Sequence, residues 1–232
     1  MVYPLAPWKL EGCAFQTLQL MDSHLVRSPQ ANSSSAGTSE RSLVPAELEI
    51  IEVWPGKTLG SVYLATYGSG STLEYHELIV ASALVRYAGK WGFWVSHIYV
   101  DHPDSLAGGR EIWGLPKELA EFDWPKEKNG SILVHQGDRQ LCCLSHDWQS
   151  WMLPQKLSGA VFSGLNTELL WFKAEVKAQI GFTRAQLTVP PESPFAEWRV
   201  DQPWLTFGLE AMTLVVDAPQ TVGEKATASI LQ

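Results

Sequence analysis

The chain has 232 residues, of which 45% are hydrophobic and 18% charged, and a formal net charge of −8. This length suits one domain spanning 1–232, because cores usually stop growing only beyond about 250–300 residues, and the composition is that of a folded protein. The negative balance comes without a Lys/Arg cluster, so nucleic acid is a poor partner. No apolar run approaches the roughly 18–20 residues of a spanning helix, which argues against stable membrane insertion. Met1-Val2-Tyr3-Pro4 lacks a basic stretch followed by an apolar one, and a cytoplasmic location is expected.

In chain order, the segment from Pro7 to Leu20 ends in an alternation around Phe15 and Thr17 and predicts a half-buried strand. Residues 28–42, small and polar, predict a flexible surface loop. Thr58 to Tyr67 and Tyr75 to Leu84 predict two strands joined through the Gly68-Ser69-Gly70-Ser71 turn as a hairpin. Trp91 to Val100 predicts a third strand, apolar and buried on both sides. His102-Pro103-Asp104-Ser105 then opens a short helix, with acidic or hydroxyl groups to cap it. That helix ends at Gly114-Leu115-Pro116, because the residue before proline is steered out of helical dihedrals. Lys117 is thereby placed on an extended or turning segment just past the helix.

Beyond it, Ser131 to His135 and Arg139 to Ser145 flank Gln136-Gly137-Asp138 as a second hairpin. Leu157 to Phe162, Glu168 to Val176, Ala178 to Val189 and Trp204 to Val216 are four more strands. Many short strands with few helical patterns predict a mostly β (α+β) fold, a barrel or sandwich with a few helices. Eleven tryptophans suit a core with an apolar pocket or an interface.

Several standard sites are absent. Cys13, Cys142 and Cys143 form no C-x-x-C pair, and there is no G-x-S-x-G, S-x-x-K, H-E-x-x-H or P-loop. His97 and His102 are five apart, and His76–Glu77 and His146–Asp147 are neighbours that diverge if extended, so no metal site is expected. What remains is Lys117, a lone amine after an apolar Leu-Pro step. Burial of a lysine disfavours its charged form, and the neutral amine attacks carbonyl carbon.

Gly109-Arg110-Glu111-Ile112-Trp113-Gly114-Leu115-Pro116-Lys117 resembles the signature of the acetoacetate decarboxylase-like superfamily, and Tyr75-His76-Glu77 resembles its Tyr-x-Glu segment. Val44-Pro45-Ala46-Glu47-Leu48 and Pro7-Trp8-Lys9-Leu10 stand in the expected order. The resemblance implies a conical, mostly antiparallel β-barrel with flanking helices, and a homo-oligomer. It implies a lyase that forms a Schiff base between Lys117 and a β-keto or 2-oxo acid, with Glu77 assisting and no cofactor. Tyr75, Arg110 and Glu111 come with the motifs as substrate-binding candidates, and Trp113 and Leu115 are candidates for the apolar lining. Two positions depart from the decarboxylases: Glu118 stands where they carry a second lysine, and the first-strand arginine is replaced near Cys13. Relatives linked to carotenoid metabolism share the pattern at Thr58-Leu59-Gly60. They supply the alternative, a non-catalytic cavity protein for an apolar, isoprenoid-type ligand.

Overall fold

A computed structural model describes residues 3–27, 43–125 and 130–225, so the loop expected at 28–42 lies outside the described residues. In chain order the strands are β1 (Trp8–Asp22), β2 (Glu49–Ile50), β3 (Glu52–Trp54), β4 (Lys57–Tyr67), β5 (Tyr75–Tyr87) and β6 (Lys90–Val100). Helix α1 (Pro103–Trp113) follows, then β7 (Lys117–Leu119), β8 (Glu121–Asp123), β9 (Ser131–Gln136) and β10 (Arg139–Gln149). The chain continues through β11 (Leu153–Leu165), β12 (Glu168–Thr188), β13 (Leu205–Val216) and β14 (Gln220–Glu224).

The mostly β expectation holds. The strands pair in the order β11-β6-β5-β4-β1-β13-β12-β10-β9-β8, and β11 also pairs β12. The order therefore returns on itself through seven strands as a barrel-like ring. Its weakest seam is the parallel contact of β11 with β6, which registers only Val161 with Phe93 and Phe162 with Trp94. β12 is long enough to serve two sheets. Its first part pairs β11 and β13 in the ring, and its last part pairs β10, which carries β9 and β8 outward.

This geometry gives the ring two apolar faces. Leu64, Leu78 and Val80 pack outward with Ile132, Val134, Leu141 and Leu144 of the small sheet, in a core that also takes Phe195 and Trp198. Ala14, Ala65, Tyr67, Tyr75, Leu209 and Met212 form a separate cluster on the opposite, inward face. Strand alternation sorts neighbouring residues between the two.

Three details differ from the sequence reading. Glu168 to Val176 and Ala178 to Val189 are one strand, with a register shift between Lys177 and Gln179 where the break was expected. A bulge inserts a residue into the ladder without ending it, so the apolar alternation changes phase while the strand runs on. Trp91 is 52% exposed, so β6 is not buried on both faces throughout. The helix cap is the ring of His102, whose Nδ1 accepts from the Asp104 amide, and not a carboxylate or hydroxyl. No helix among the described residues is long and apolar enough to cross a membrane.

Candidate active site

Lys117 is delivered by a helix stop. Gly114 adopts a left-handed φ of 60° as the cap of α1, and a Cβ there would meet the Gly164 carbonyl carbon at 2.8 Å. Glycine satisfies both demands. The chain then turns through Leu115 and Pro116 into β7, where Lys117 registers parallel with Ile98 of β6. The Arg110 Nε donates to the Lys117 carbonyl at 2.7 Å and ties the short strand back to the helix.

Glu77 arrives from the middle of the ring, registered between Ala65 of β4 and Val100 of β6. The two side chains meet inside: Lys117 Nζ donates to Glu77 Oε1 at 2.8 Å and to Ser105 Oγ at 3.0 Å. Lys117 is 3% exposed and Glu77 5%. A buried pair of this kind is tolerated only where the remaining donors and lone pairs are also satisfied. Here Tyr67 donates to Glu77 Oε2 at 3.1 Å and Tyr75 to Oε1 at 3.4 Å. Burial pushes both phenols well above their usual range, so they remain protonated donors at neutral pH. Tyr63, whose phenol burial likewise raises, places its hydroxyl 3.3 Å from that of Tyr67.

Aromatic faces complete the enclosure of the amine. Lys117 Nζ lies 5.1 Å from the Tyr75 ring centroid and 5.8 Å from that of Trp8, within cation–π range. Gly109 supplies the space, because a Cβ there would stand 2.4 Å from Lys117 Cδ and 2.5 Å from Cε.

The structure brings Lys117, Glu77 and Tyr75 together and sorts the other candidates apart. Trp113 is buried one layer behind, edge-on to Trp8 at 4.8 Å, with its indole donating to the Asp217 carbonyl. Leu115 packs beside the same Trp8, Trp113 and Phe172 cluster. Arg110 and Glu111 are exposed. Arg110 binds backbone and Glu111 accepts from the Tyr3 hydroxyl at 2.5 Å, so neither side chain reaches the amine. Glu118 points the other way, exposed, and accepts from Gln136 at 3.0 Å. His76 also faces away from Glu77, held by Asp101 at 2.6 Å and stacked near Phe122.

Sequence reasoning missed Tyr67, Ser105, Trp8 and the spacing role of Gly109. Tyr67 was readable in principle, since the hairpin sets it directly opposite Tyr75. Among the described residues no group of three or more His, Cys, Asp or Glu could hold a metal ion. The arginines with resolved partners are committed elsewhere: Arg27 to carbonyls of 45–48, Arg86 to Glu49, Arg139 to Gln136 and Arg184 to Asp147.

A strand ring that encloses a lysine–glutamate pair among phenols defines a class of barrel-like proteins with a buried amine. The family model for acetoacetate decarboxylase (ADC) matches residues 37–198, and the chain belongs to that family. It is 25% identical over 82% of its length, and 74% of the relative, to Protein NEOXANTHIN-DEFICIENT 1 of Solanum lycopersicum. It is 36% identical to Acetoacetate decarboxylase 3 of Mesorhizobium japonicum, over 41% of this chain and 32% of that one. Among solved structures, the acetoacetate decarboxylase of Legionella pneumophila matches 97% of this chain and 90% of its own, with a TM-score of 0.71 at 17% identity. The enduracididine biosynthesis enzyme MppR matches with a TM-score of 0.66 at 12% identity, over 96% of this chain and 89% of its own. Both likenesses bear on the fold.

Proposed function

We propose that the chain is a Schiff-base-forming lyase in which the Lys117 amine condenses with the carbonyl of a β-keto or 2-oxo acid. The observation that carries this reading is the 2.8 Å contact of Lys117 Nζ with Glu77 inside a site where both are almost wholly buried. Glu77 takes a proton from the ammonium, and the freed amine adds to the carbonyl carbon, forming the C–N bond. The carbonyl oxygen picks up two protons through Glu77 and leaves as water, giving an iminium. In a β-keto acid the iminium stands at the β carbon, and it draws in the electron pair of the bond between the α carbon and the carboxylate as that bond breaks and CO2 leaves. The resulting enamine is protonated at carbon, and water then releases the ketone and the amine. Tyr67 and Tyr75 orient Glu77 and present hydroxyls to the oxygen that leaves.

A second reading is favoured by the engagement of Arg27, Arg86, Arg110, Arg139 and Arg184 away from the amine: the barrel holds an apolar ligand without turnover. The two readings separate on borohydride reduction. A covalent mass adduct on Lys117 after incubation with a keto acid supports the lyase. A panel of keto acids that leaves Lys117 unmodified, with a bound apolar compound recovered intact, supports the binder.

A further inference from the structure

The inward face of the ring continues well beyond Lys117, and its residues follow from the strand registers. One two-residue step from Glu77 along β5 is Ile79, which faces Tyr63 on β4, and Tyr63 faces Gln16 on β1. Gln16 faces Phe207 on β13, and Phe207 faces Phe182 on β12. These five positions form one row across the ring, about 7 Å along the strands from the row of Glu77. One step further are Leu18, Ser61, Ala81 and Leu205. Apart from Gln16 and Ser61, which hydrogen-bond each other, both rows are aromatic or aliphatic, and neither holds a charge.

Exposure rises across the row toward β13 and β12, while Ser61 and Ala81 on the β4 and β5 side of the next row are buried. Glu77 and Tyr67 are buried, and Ile79, Tyr63, Gln16 and Phe207 are half-buried. Phe182 is 54% exposed, Leu20 46% and Trp204, whose amide donates to the Leu18 carbonyl, 68%. The opposite end is filled by Trp8, Trp113 and Phe172, all buried. The inward face is therefore sealed on the helix side and open to solvent on the Phe182 side. Phe182 and Phe207 pair with ring centroids 5.1 Å apart. Large apolar side chains on the inner face that keep much of their surface in water, as Phe182 does, mark a place for an apolar group.

We infer that the carbonyl compound taken by Lys117 carries a long unbranched or aromatic apolar chain, which lies along the row of Ile79, Tyr63, Phe207 and Phe182 toward the Trp204 side. This rests on the Schiff-base reading and names the substituent that reading leaves open. The shared chemistry is an apolar chain on the carbonyl carbon, whether the compound is a β-keto acid or a neutral ketone.

Two homologous series test it, methyl ketones from acetone to undecanone and the β-keto acids that yield them, each trapped on the protein with borohydride and read by mass at Lys117. The concentration for half-maximal trapping falls by about fourfold per added methylene over the first steps, as expected for burial of a CH₂. Phe182→Ser, a change at an exposed position, flattens that dependence while thermal melting shows the fold retained. A series ordered the same way for ketones and acids assigns recognition to the chain, and an ordering set by the carboxylate overturns the inference. Equal trapping of short and long members also overturns it and leaves the Schiff base standing. Absence of any Lys117 adduct across both series removes the Schiff-base reading and the inference together.

Discussion

Gly109→Ala isolates the space that the glycine provides from the stability of the helix that carries it. In the interior of a helix, alanine is favoured over glycine by about 1 kcal/mol, so the substitution should not unfold α1. The new Cβ, however, would stand 2.4 Å from Lys117 Cδ and 2.5 Å from Cε. Ordinary carbon contacts lie near about 3.5–4.0 Å, so the lysine stem must move by roughly 1 Å or more. Its end is held by Glu77 at 2.8 Å and Ser105 at 3.0 Å, and a displacement of that size breaks at least one of these hydrogen bonds. A misplacement of about 1 Å costs on the order of 100-fold in a positioned reaction. The assay is the rate of borohydride trapping at Lys117 beside thermal unfolding. The expected result is a trapping rate down by about two orders of magnitude with a melting temperature near the parent's. A variant that traps at the parental rate would refute the packing argument.

Further outcomes follow from other parts of the site. Lys117→Ala leaves Glu77 buried without its cation and should destabilise the fold by about 3–5 kcal/mol in urea unfolding, and Glu77→Gln added to it should recover much of that. Glu118→Lys restores the residue type of the decarboxylases at that position, yet should leave trapping unchanged, because Glu118 faces solvent and Gln136; a large gain would show that the two side chains communicate. Gly114→Ala should cost more than about 1 kcal/mol, since a left-handed φ and the Gly164 backbone both oppose a side chain. His97 is buried, and burial lowers its pKa to about 4 from an unfolded value of 6.5. Between these values the unfolded chain binds the extra proton, so stability is complete above pH 6.5 and declines by up to about 3 kcal/mol as pH falls to 4. His97→Gln should flatten that decline in denaturant midpoints measured across the window.

The parts of the molecule readable from sequence are those governed by short-range rules. The hairpin of β4 and β5, the helix start at His102-Pro103 and its stop at Gly114-Leu115-Pro116 each follow from local backbone preferences, and they carry Glu77 and Lys117 to their places. The glycine at 109 was visible as a motif residue, but its task depends on a side chain eight residues later folding back across the helix, which no local pattern encodes. Arg110 and Glu111 share that motif and nonetheless face outward, because consecutive positions on a helix lie about 100° apart and the same turn that buries Gly109 exposes them. The continuity of β12 escaped because a bulge at Lys177 shifts the alternation, and a phase change reads as a break until the partner strand is known. Tyr67, Ser105 and Trp8 come from three separate elements, β4, α1 and β1, and only closure of the ring brings them to the amine.

The central claim is that Lys117 is a nucleophile and not merely a buried counter-ion. Its most direct test is peptide mass mapping after borohydride reduction with a β-keto acid. The account predicts a reduced imine on Lys117 that is absent from Lys117→Ala/Glu77→Gln. An unmodified Lys117 across the whole keto acid and ketone panel, in protein shown to be folded, would contradict it.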